Sequence, residues 1–94
     1  MTKNKPLISF IIAAYNEEKF IVDCIESCLN QTYPNVEVSV TDDGSTDKTW
    51  KILMENYQNN SRVILDRFET NKGKVLAINN SYKNSNGEYI ALMC

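Results

Sequence analysis

Apolar segments with strand-like patterns recur along the whole chain. Leu7 to Ala13 is a near-continuous apolar run, which is typical of a strand buried on both faces of a sheet. Val36 to Thr41 alternates between apolar and polar residues, which predicts a second buried strand. Arg62 to Phe68 and Tyr89 to Met93 are two further segments that read as strands. The pattern therefore predicts four strands at these positions.

The segments between the strands have helical periodicity. In the first, we expect Asn16 to cap the helix, which ends near residues 30–33. Its predicted apolar stripe consists of Phe20, Ile21, Cys24, Ile25, Cys28 and Leu29. In the second, Ser45 or Thr46 is the expected cap, and the inward residues are Trp50, Leu53, Met54 and Tyr57. The third helix is predicted over Val75 to Lys83, with Val75, Ile78 and Tyr82 turned inward.

The order β-α-β-α-β-α-β predicts an α/β fold, a three-layer Rossmann-like parallel sheet with right-handed crossovers and helices on both faces. Ligands of such sheets bind outside the carboxyl ends of the strands. In this chain that edge is expected to carry residues 13–17, 42–45 and 70–74. Three loops should therefore converge on one crevice.

Size and composition indicate one ordinary domain. The 94 residues are 43% hydrophobic with a net charge of −2, which favours neither nucleic acid nor a membrane surface as partner. The apolar run from Leu7 to Ala14 is far shorter than the roughly 20 residues that cross a bilayer. With no recognisable signal peptide, we expect a single domain over residues 1–94 and a cytoplasmic location.

The three loops carry an aromatic ring, two carboxylates and two lysines. Asp43 is suited to accept the imide N–H of uracil or thymine, or N1–H of guanine. Tyr15 could pack on the base, and Lys72 or Lys74 could meet a diphosphate together with free backbone N–H groups. Each feature taken alone is also compatible with an ordinary turn, cap or surface residue.

The sequence lacks the motifs of other enzymes and nucleotide-binding proteins with α/β folds. There is no glycine-rich dinucleotide or P-loop motif after the first strand, no nucleophile elbow, and no His for a catalytic triad. The absence of His also argues against a zinc site. Asp42 and Asp43 are adjacent on a strand, so their side chains are expected to point in opposite directions rather than to share a metal ion.

Five ordered segments resemble the family 2 glycosyltransferases, and together they cover essentially residues 6–93. They are Ile8 to Glu17, Asn30 to Tyr33, Thr41 to Asp47, Asn71 to Asn79 and Gly87 to Ala91. The resemblance implies the nucleotide-binding half of a GT-A fold with strand order 3-2-1-4. It also implies an inverting enzyme with a UDP-activated sugar donor, acting in polysaccharide or cell-envelope glycan synthesis.

The resemblance assigns roles to particular residues. The segment from Ala13 to Glu17 would contact the nucleoside, with Tyr15 near the base. Asp43 would bind uracil, and Lys74 would lie near the diphosphate. Ala13 stands where many members have Pro, a change that a backbone contact would survive.

The match also departs from the family at the end. Cys94 stands at the position of the first Asp of an Asp-X-Asp motif, whose carboxylates hold Mn²⁺ or Mg²⁺ on the donor. The family's catalytic base lies later still, so we expect a truncated domain that binds no metal and is inactive alone. The alternative is a catalytically inactive binding or assembly module from an interrupted gene. The exposed edge strand 89–93 should favour self-association, and the acceptor is unknown.

Overall fold

The computed structural model describes residues 5–93, and Cys94 lies outside the described residues. Its strands are β1 (Ile8–Ala14), β2 (Val36–Asp43), β3 (Val63–Phe68) and β4 (Tyr89–Leu92), and its helices are α1 (Ile21–Leu29), α2 (Thr49–Tyr57) and α3 (Lys74–Asn84). Strands and helices alternate along the chain as predicted. The sheet is parallel in the order β3-β2-β1-β4, which confirms the expected topology.

The two faces of the sheet differ in polarity. On one face, strand side chains pack with α1 and α2 in a single apolar core, whose buried members are Phe10, Ile12, Ala14, Ile21, Ile25, Cys28, Val36, Val38, Val40, Leu53, Tyr57 and Val63. The side chains on the other face include Ser9, Ser39 and Thr41, all fully buried. Because successive strand side chains point to opposite faces, the alternation in β2 sends its polar residues away from the apolar core.

Helix α3 covers the polar face through small side chains. The Ser81 carbonyl accepts the Ser39 hydroxyl at 2.8 Å, and the hydroxyls of Ser81 and Thr41 lie 2.7 Å apart. Ala77 is fully buried beside them. Small residues let the helix approach closely, while hydrogen bonds satisfy the buried hydroxyl groups.

The expected orientation of α3 is therefore wrong at two of three positions. Val75 is 71% exposed and Tyr82 is 59% exposed, whereas Ile78 is partly buried. The helix turns Ala77 and Ser81 to the sheet because the surface beneath it is polar and tightly spaced. In α1, the buried residues include Ile21, Ile25 and Cys28 as expected.

The predicted caps and one predicted core residue in the first two helices are also wrong. Helix α1 begins at Ile21 and α2 at Thr49, and neither has a side-chain cap from Asn16, Ser45 or Thr46. Phe20, expected in the stripe of α1, immediately precedes that helix and is exposed. The proposed capping side chains instead bind neighbouring loops, because the carboxyl ends of β1 and β2 lie side by side.

Candidate functional site

The loops after β1 and β2 hold each other at the carboxyl edge of the sheet. Asn16 has a φ of 52°, and its Oδ1 accepts the backbone N–H of Thr46 at 2.8 Å. Its own N–H donates to the Ser45 hydroxyl at 2.9 Å. The backbone N–H of Glu17 donates to the Thr49 hydroxyl at 2.8 Å. These bonds give the segment around Tyr15 a defined position against residues 42–47, which we call the acidic turn.

Asp42 is fully buried and faces the helix side of the turn. Its Oδ1 accepts the Ser45 hydroxyl, and its Oδ2 lies 3.6 Å from Arg67 Nε with no hydrogen-bond partner among the described residues. Burial raises the pKa of Asp42, although the bonds from Ser45 and the charge of Arg67 oppose that shift. The Arg67 guanidinium also lies 5.7 Å from the ring centre of Trp50. Asp42 thus connects its own turn to Arg67 on β3.

Asp43 points the other way, toward the loop between β3 and α3. Its Oδ1 accepts the backbone N–H of Lys72 at 2.7 Å. Its Oδ2 accepts the backbone N–H of Gly73 and the side-chain amide of Asn71, each at 3.1 Å. The residue is 3% exposed. The adjacent carboxylates therefore have different partners, in agreement with the expected divergence of their side chains.

Gly44 permits the close approach of these two loops. It has a φ of +68°, and a Cβ atom there would lie 2.3 Å from the Thr70 carbonyl carbon and 2.4 Å from the Asn71 nitrogen. Backbone atoms cannot yield by that much, and a side chain is disfavoured at this φ. The glycine of the acidic turn is thus required by packing against the loop that follows β3.

The two lysines of that loop have different surroundings. Lys72 Nζ lies 4.8 Å from the ring centre of Phe68. Lys74 is exposed, begins α3 and lines a groove of about 290 Å³. The other residues lining this groove are Ile11, Ala13, Ile78, Leu92 and Met93. The backbone N–H groups of Lys72 and Gly73 are bound to Asp43, whereas the first N–H groups of α3 have no side-chain cap, so the expected backbone contact to a diphosphate stays a prediction for the helix start.

Ala13 links two spaces at this edge. Besides the groove, it lines a cavity of about 80 Å³ with Glu17 and Phe20. Tyr15 is 45% exposed and lies among the lining residues of neither space, and the same holds for Asp43. Ala13 thus lies beside Glu17 in one space and beside Lys74 in the other. Asp43 is hydrogen-bonded to residues 70–74, which we call the lysine loop, and Tyr15 lies on the surface of the same edge.

A larger depression lies elsewhere and does not match this chemistry. It measures about 740 Å³ and surrounds the end of α2 and the turn before β3, at the amino edge of the sheet. Its lining residues are Met54, Glu55, Asn56, Gln58, Asn59, Asn60 and Ser61. We assign the candidate site to the carboxyl edge because ligands of parallel sheets bind there and the predicted residues converge there.

Comparison with known proteins identifies the family of the chain. Residues 9–93 match the family described as "Glycosyl transferase family 2". The chain belongs to this family. It is 49% identical over 90 residues to the chondroitin synthase of Escherichia coli, an alignment that covers 94% of this chain and 13% of that protein. The chain spans between 13% and 37% of the length of the curated relatives it matches.

Solved glycosyltransferase structures share the fold. Crystal structures of S. aureus TarS in complex with UDP and with UDP-GlcNAc match at 35% identity and a TM-score of 0.79. The UDP complex covers 90% of this chain and 26% of that one. The mannosyltransferase PcManGT from Pyrobaculum calidifontis, solved with GDP-Man and Mn²⁺, matches at 26% identity and a TM-score of 0.81, covering 93% of this chain and 26% of that one. These matches confirm the GT-A, Rossmann-like fold.

The described residues do not by themselves fit the divalent metal of such enzymes. Within residues 5–93, no group of three or more His, Cys, Asp or Glu side chains could hold a metal ion. Asp42 faces Arg67, and each oxygen of Asp43 already accepts at least one N–H group. Cys94, which the family resemblance aligns with a metal-binding Asp, lies outside the described residues. We therefore derive no step through a metal.

Sequence reasoning did not give the organising roles of three residues at this edge. Asn16 joins two loops, Asn71 donates to Asp43, and Arg67 faces Asp42. A signal existed for Asn16, because Asn in a loop shortly after a strand is among the residues that adopt positive φ most readily. Arg67 gave no such signal, since its partner lies on another strand.

Proposed function

We propose that this chain holds the nucleotide of a UDP-activated sugar for a glycosyltransferase of polysaccharide or cell-envelope glycan synthesis. The observation that carries the proposal is the Asp43 carboxylate, which joins the acidic turn after β2 to the lysine loop before α3. The TarS complexes with UDP and UDP-GlcNAc support the choice of donor. The chondroitin synthase match supports a saccharide acceptor, whose identity stays open.

Each predicted site residue has a role in this proposal. An ionised carboxylate offers about four acceptor positions, and Asp43 uses three of them within the chain. The remaining position, on Oδ1, accepts the imide N–H of uracil once the base approaches. Tyr15 packs on the base, Ala13 and Glu17 form the wall of the nucleoside site, and Lys74 meets the diphosphate.

Guanine is the rival base, because its N1–H has the same donor character as the uracil imide. The GDP-Man complex of PcManGT gives this alternative a specific basis. Cytosine and adenine present an unprotonated ring nitrogen at the corresponding position, which would repel the carboxylate. The proposal therefore ranks UDP first, GDP second, and CDP and ADP last.

Titration of the isotope-labelled chain with these four nucleotides tests the ranking. In D43N the charge is lost, and UDP affinity should fall by about 1.5 to 3 kcal/mol, the range for a hydrogen bond to a charged group. The matched control is D23N, which changes an exposed Asp on α1. Equal binding of all four nucleotides, or unchanged UDP affinity in D43N, would refute the assigned base recognition.

The proposal separates donor binding from transfer. The family resemblance places the metal-binding carboxylates and the inverting enzyme's base after Met93, so the 94-residue chain alone should hold a donor without transferring its sugar. An assay with UDP-GlcNAc, Mn²⁺ and a saccharide acceptor tests this. Turnover by the purified chain would contradict it.

The edge strand β4 supports the further proposal that the chain associates with itself. Strand β4 pairs with β1 on one side, and Tyr89 and Leu92 are exposed. An apolar edge of this kind recruits other strands. Sedimentation should show concentration-dependent dimers that L92K abolishes and the distant control K51E does not. A monomer at millimolar concentration would contradict this.

A cytoplasmic location remains part of the proposal, with membrane association where a longer parent supplies it. Of the helices in residues 5–93, none has the length and apolar character that crossing a bilayer requires. Fractionation of cells that produce the native protein tests the location directly. Recovery outside the cytoplasmic and membrane fractions would contradict it.

A further inference from the structure

The carboxylate of Asp43 receives three N–H groups from one short loop, residues 71–73. We propose that Asp43 is a positioning residue for the lysine loop, so that recognition of the base and placement of Lys74 are coupled through one side chain. This inference rests on the proposed nucleotide-binding function and adds a second role to the residue assigned to the base.

The geometry makes Asp43 the main attachment of this loop to β2. Its Oδ1 binds Lys72 N–H, its Oδ2 binds Gly73 N–H, and its backbone carbonyl accepts the Asn71 side chain at 3.2 Å. The Gly44 position described above leaves no room for a side chain between the two loops. Acidic turn and lysine loop therefore behave as one unit.

The lysine follows directly from this attachment. Gly73 has a φ of +103°, and α3 begins at the next residue, Lys74, without a side-chain cap. The Gly73 carbonyl accepts the N–H of Ala77 at 3.2 Å, which forms the first turn of the helix. With Gly73 N–H held by Asp43, the start of α3 has its direction set by the carboxylate.

The same bonds decide how a diphosphate is met. Because Lys72 and Gly73 donate their N–H groups to Asp43, those two groups are taken, and a diphosphate would meet Lys74 Nζ and the first N–H groups of α3. Lys72 is turned to Phe68 and is not the matching cation. A base that donates to Oδ1 uses the same oxygen that accepts the backbone N–H of Lys72. The base and phosphate subsites therefore both depend on the Asp43 side chain.

Backbone amide exchange tests the attachment without any ligand. In D43N the side-chain amide would point toward N–H donors, so exchange at Lys72 and Gly73 should quicken roughly tenfold or more, as loss of charge-assisted bonds predicts. Amides of the β1–β2 ladder serve as the internal standard for intact folding. N71A removes one donor and should give a smaller increase. Unchanged exchange at Lys72 and Gly73 in folded D43N overturns the proposal.

A double-mutant cycle with nucleotide tests the coupling. Uridine and UDP are titrated into the wild type, D43N, K74A and the double variant, with K72A as the matched control. Coupling predicts that D43N weakens UDP by a larger factor than uridine, and that K74A has little further effect in the D43N background. Equal factors and additive effects mean that Asp43 acts through the base alone, which overturns the positioning role and leaves the proposed function intact. Absence of nucleotide binding by the wild type refutes the proposed function, while the exchange result still decides the attachment.

Discussion

Ser9 donates its hydroxyl to Oε2 of Glu37 at 2.6 Å, and both residues are buried. The same two side chains receive the turn that leads into β4, since Asn86 N–H donates to Glu37 Oε2 at 2.6 Å and Gly87 N–H to Ser9 Oγ at 2.8 Å. A Cβ atom on Gly87 would lie 2.4 Å from Ser9 Oγ. A polar pair inside the sheet thus determines where the last strand begins.

Removing this pair should loosen β4 before the rest of the sheet. E37A leaves the Ser9 hydroxyl and Asn86 N–H without their buried acceptor, so the free energy of unfolding should fall by about 1 to 3 kcal/mol. Urea denaturation measures the loss, and amide exchange in β4 should quicken more than in β2. The control is E88A at an exposed position of the same turn. Equal effects of the two variants would contradict the role of Glu37.

Asp66 should stabilise the fold above its pKa. The hydrogen bond from Asn80, at 2.8 Å, lowers the pKa of Asp66. Burial opposes this shift, and the backbone N–H of Arg67 and the side chain of Asn84 add to it. A carboxyl group whose pKa is lowered by folding stabilises the fold when it is ionised. This stabilisation is complete above the pKa of the unfolded state, about 3.9, and is lost as pH falls through the pKa of the folded state. N80A should raise the pKa of Asp66 and reduce stability at neutral pH, with the difference shrinking in acid.

The control for that measurement is N79A, the neighbouring exposed residue. Carbon chemical shifts of the Asp66 carboxyl give its pKa directly, and thermal unfolding at several pH values gives the stability. A difference between wild type and N80A that stays constant from neutral pH to pH values below the folded pKa would argue against the bond to Asn80.

Asp42 should have the opposite pH dependence. Burial raises its pKa, and the Ser45 hydroxyl and Arg67 compensate in part. A carboxyl group whose pKa is raised by folding contributes to stability when it is protonated. This contribution is complete below the pKa of the unfolded state, about 3.9, and is lost as pH rises through the pKa of the folded state. Compared with D42N, the wild type should therefore lose unfolding free energy as pH rises from about 4. S45A should enlarge that loss, and parallel pH profiles for wild type and D42N would contradict the assignment.

Leu53 and Leu76 offer a matched pair on two helices. Leu53 is fully buried in the core between α2 and the sheet, whereas Leu76 is exposed on α3. L53A should lower the free energy of unfolding by about 2 to 5 kcal/mol, because it removes buried methyl groups and leaves a cavity. L76A should change it little. Chemical denaturation of both variants distinguishes them, and a comparable loss in L76A would show that α3 is covered in solution.

Local patterns predicted much of the architecture and less of the site. The strands follow from apolar runs and from the alternation in β2, the helices follow from the 3.6-residue period, and the motif order points to the carboxyl edge. The assignment of Tyr15, Asp43 and Lys74 to the site follows from the motifs and stays a prediction. Their hydrogen bonds were not predicted, because Asp43 and Lys72 are joined across 29 residues of chain and no periodicity reports such a pairing.

The sequence by itself determined the type and order of the elements, the apolar face of β1 and β2, and the family, because these depend on spacing along the chain. Tertiary structure decided that Asn16 binds a neighbouring loop instead of capping α1, and that α3 buries Ala77 and Ser81 instead of Val75 and Tyr82. Both outcomes depend on which surface a residue meets after the strands pair. A polar, closely spaced sheet face selects small side chains, and adjacent strand ends give loop residues partners that their own helices do not offer.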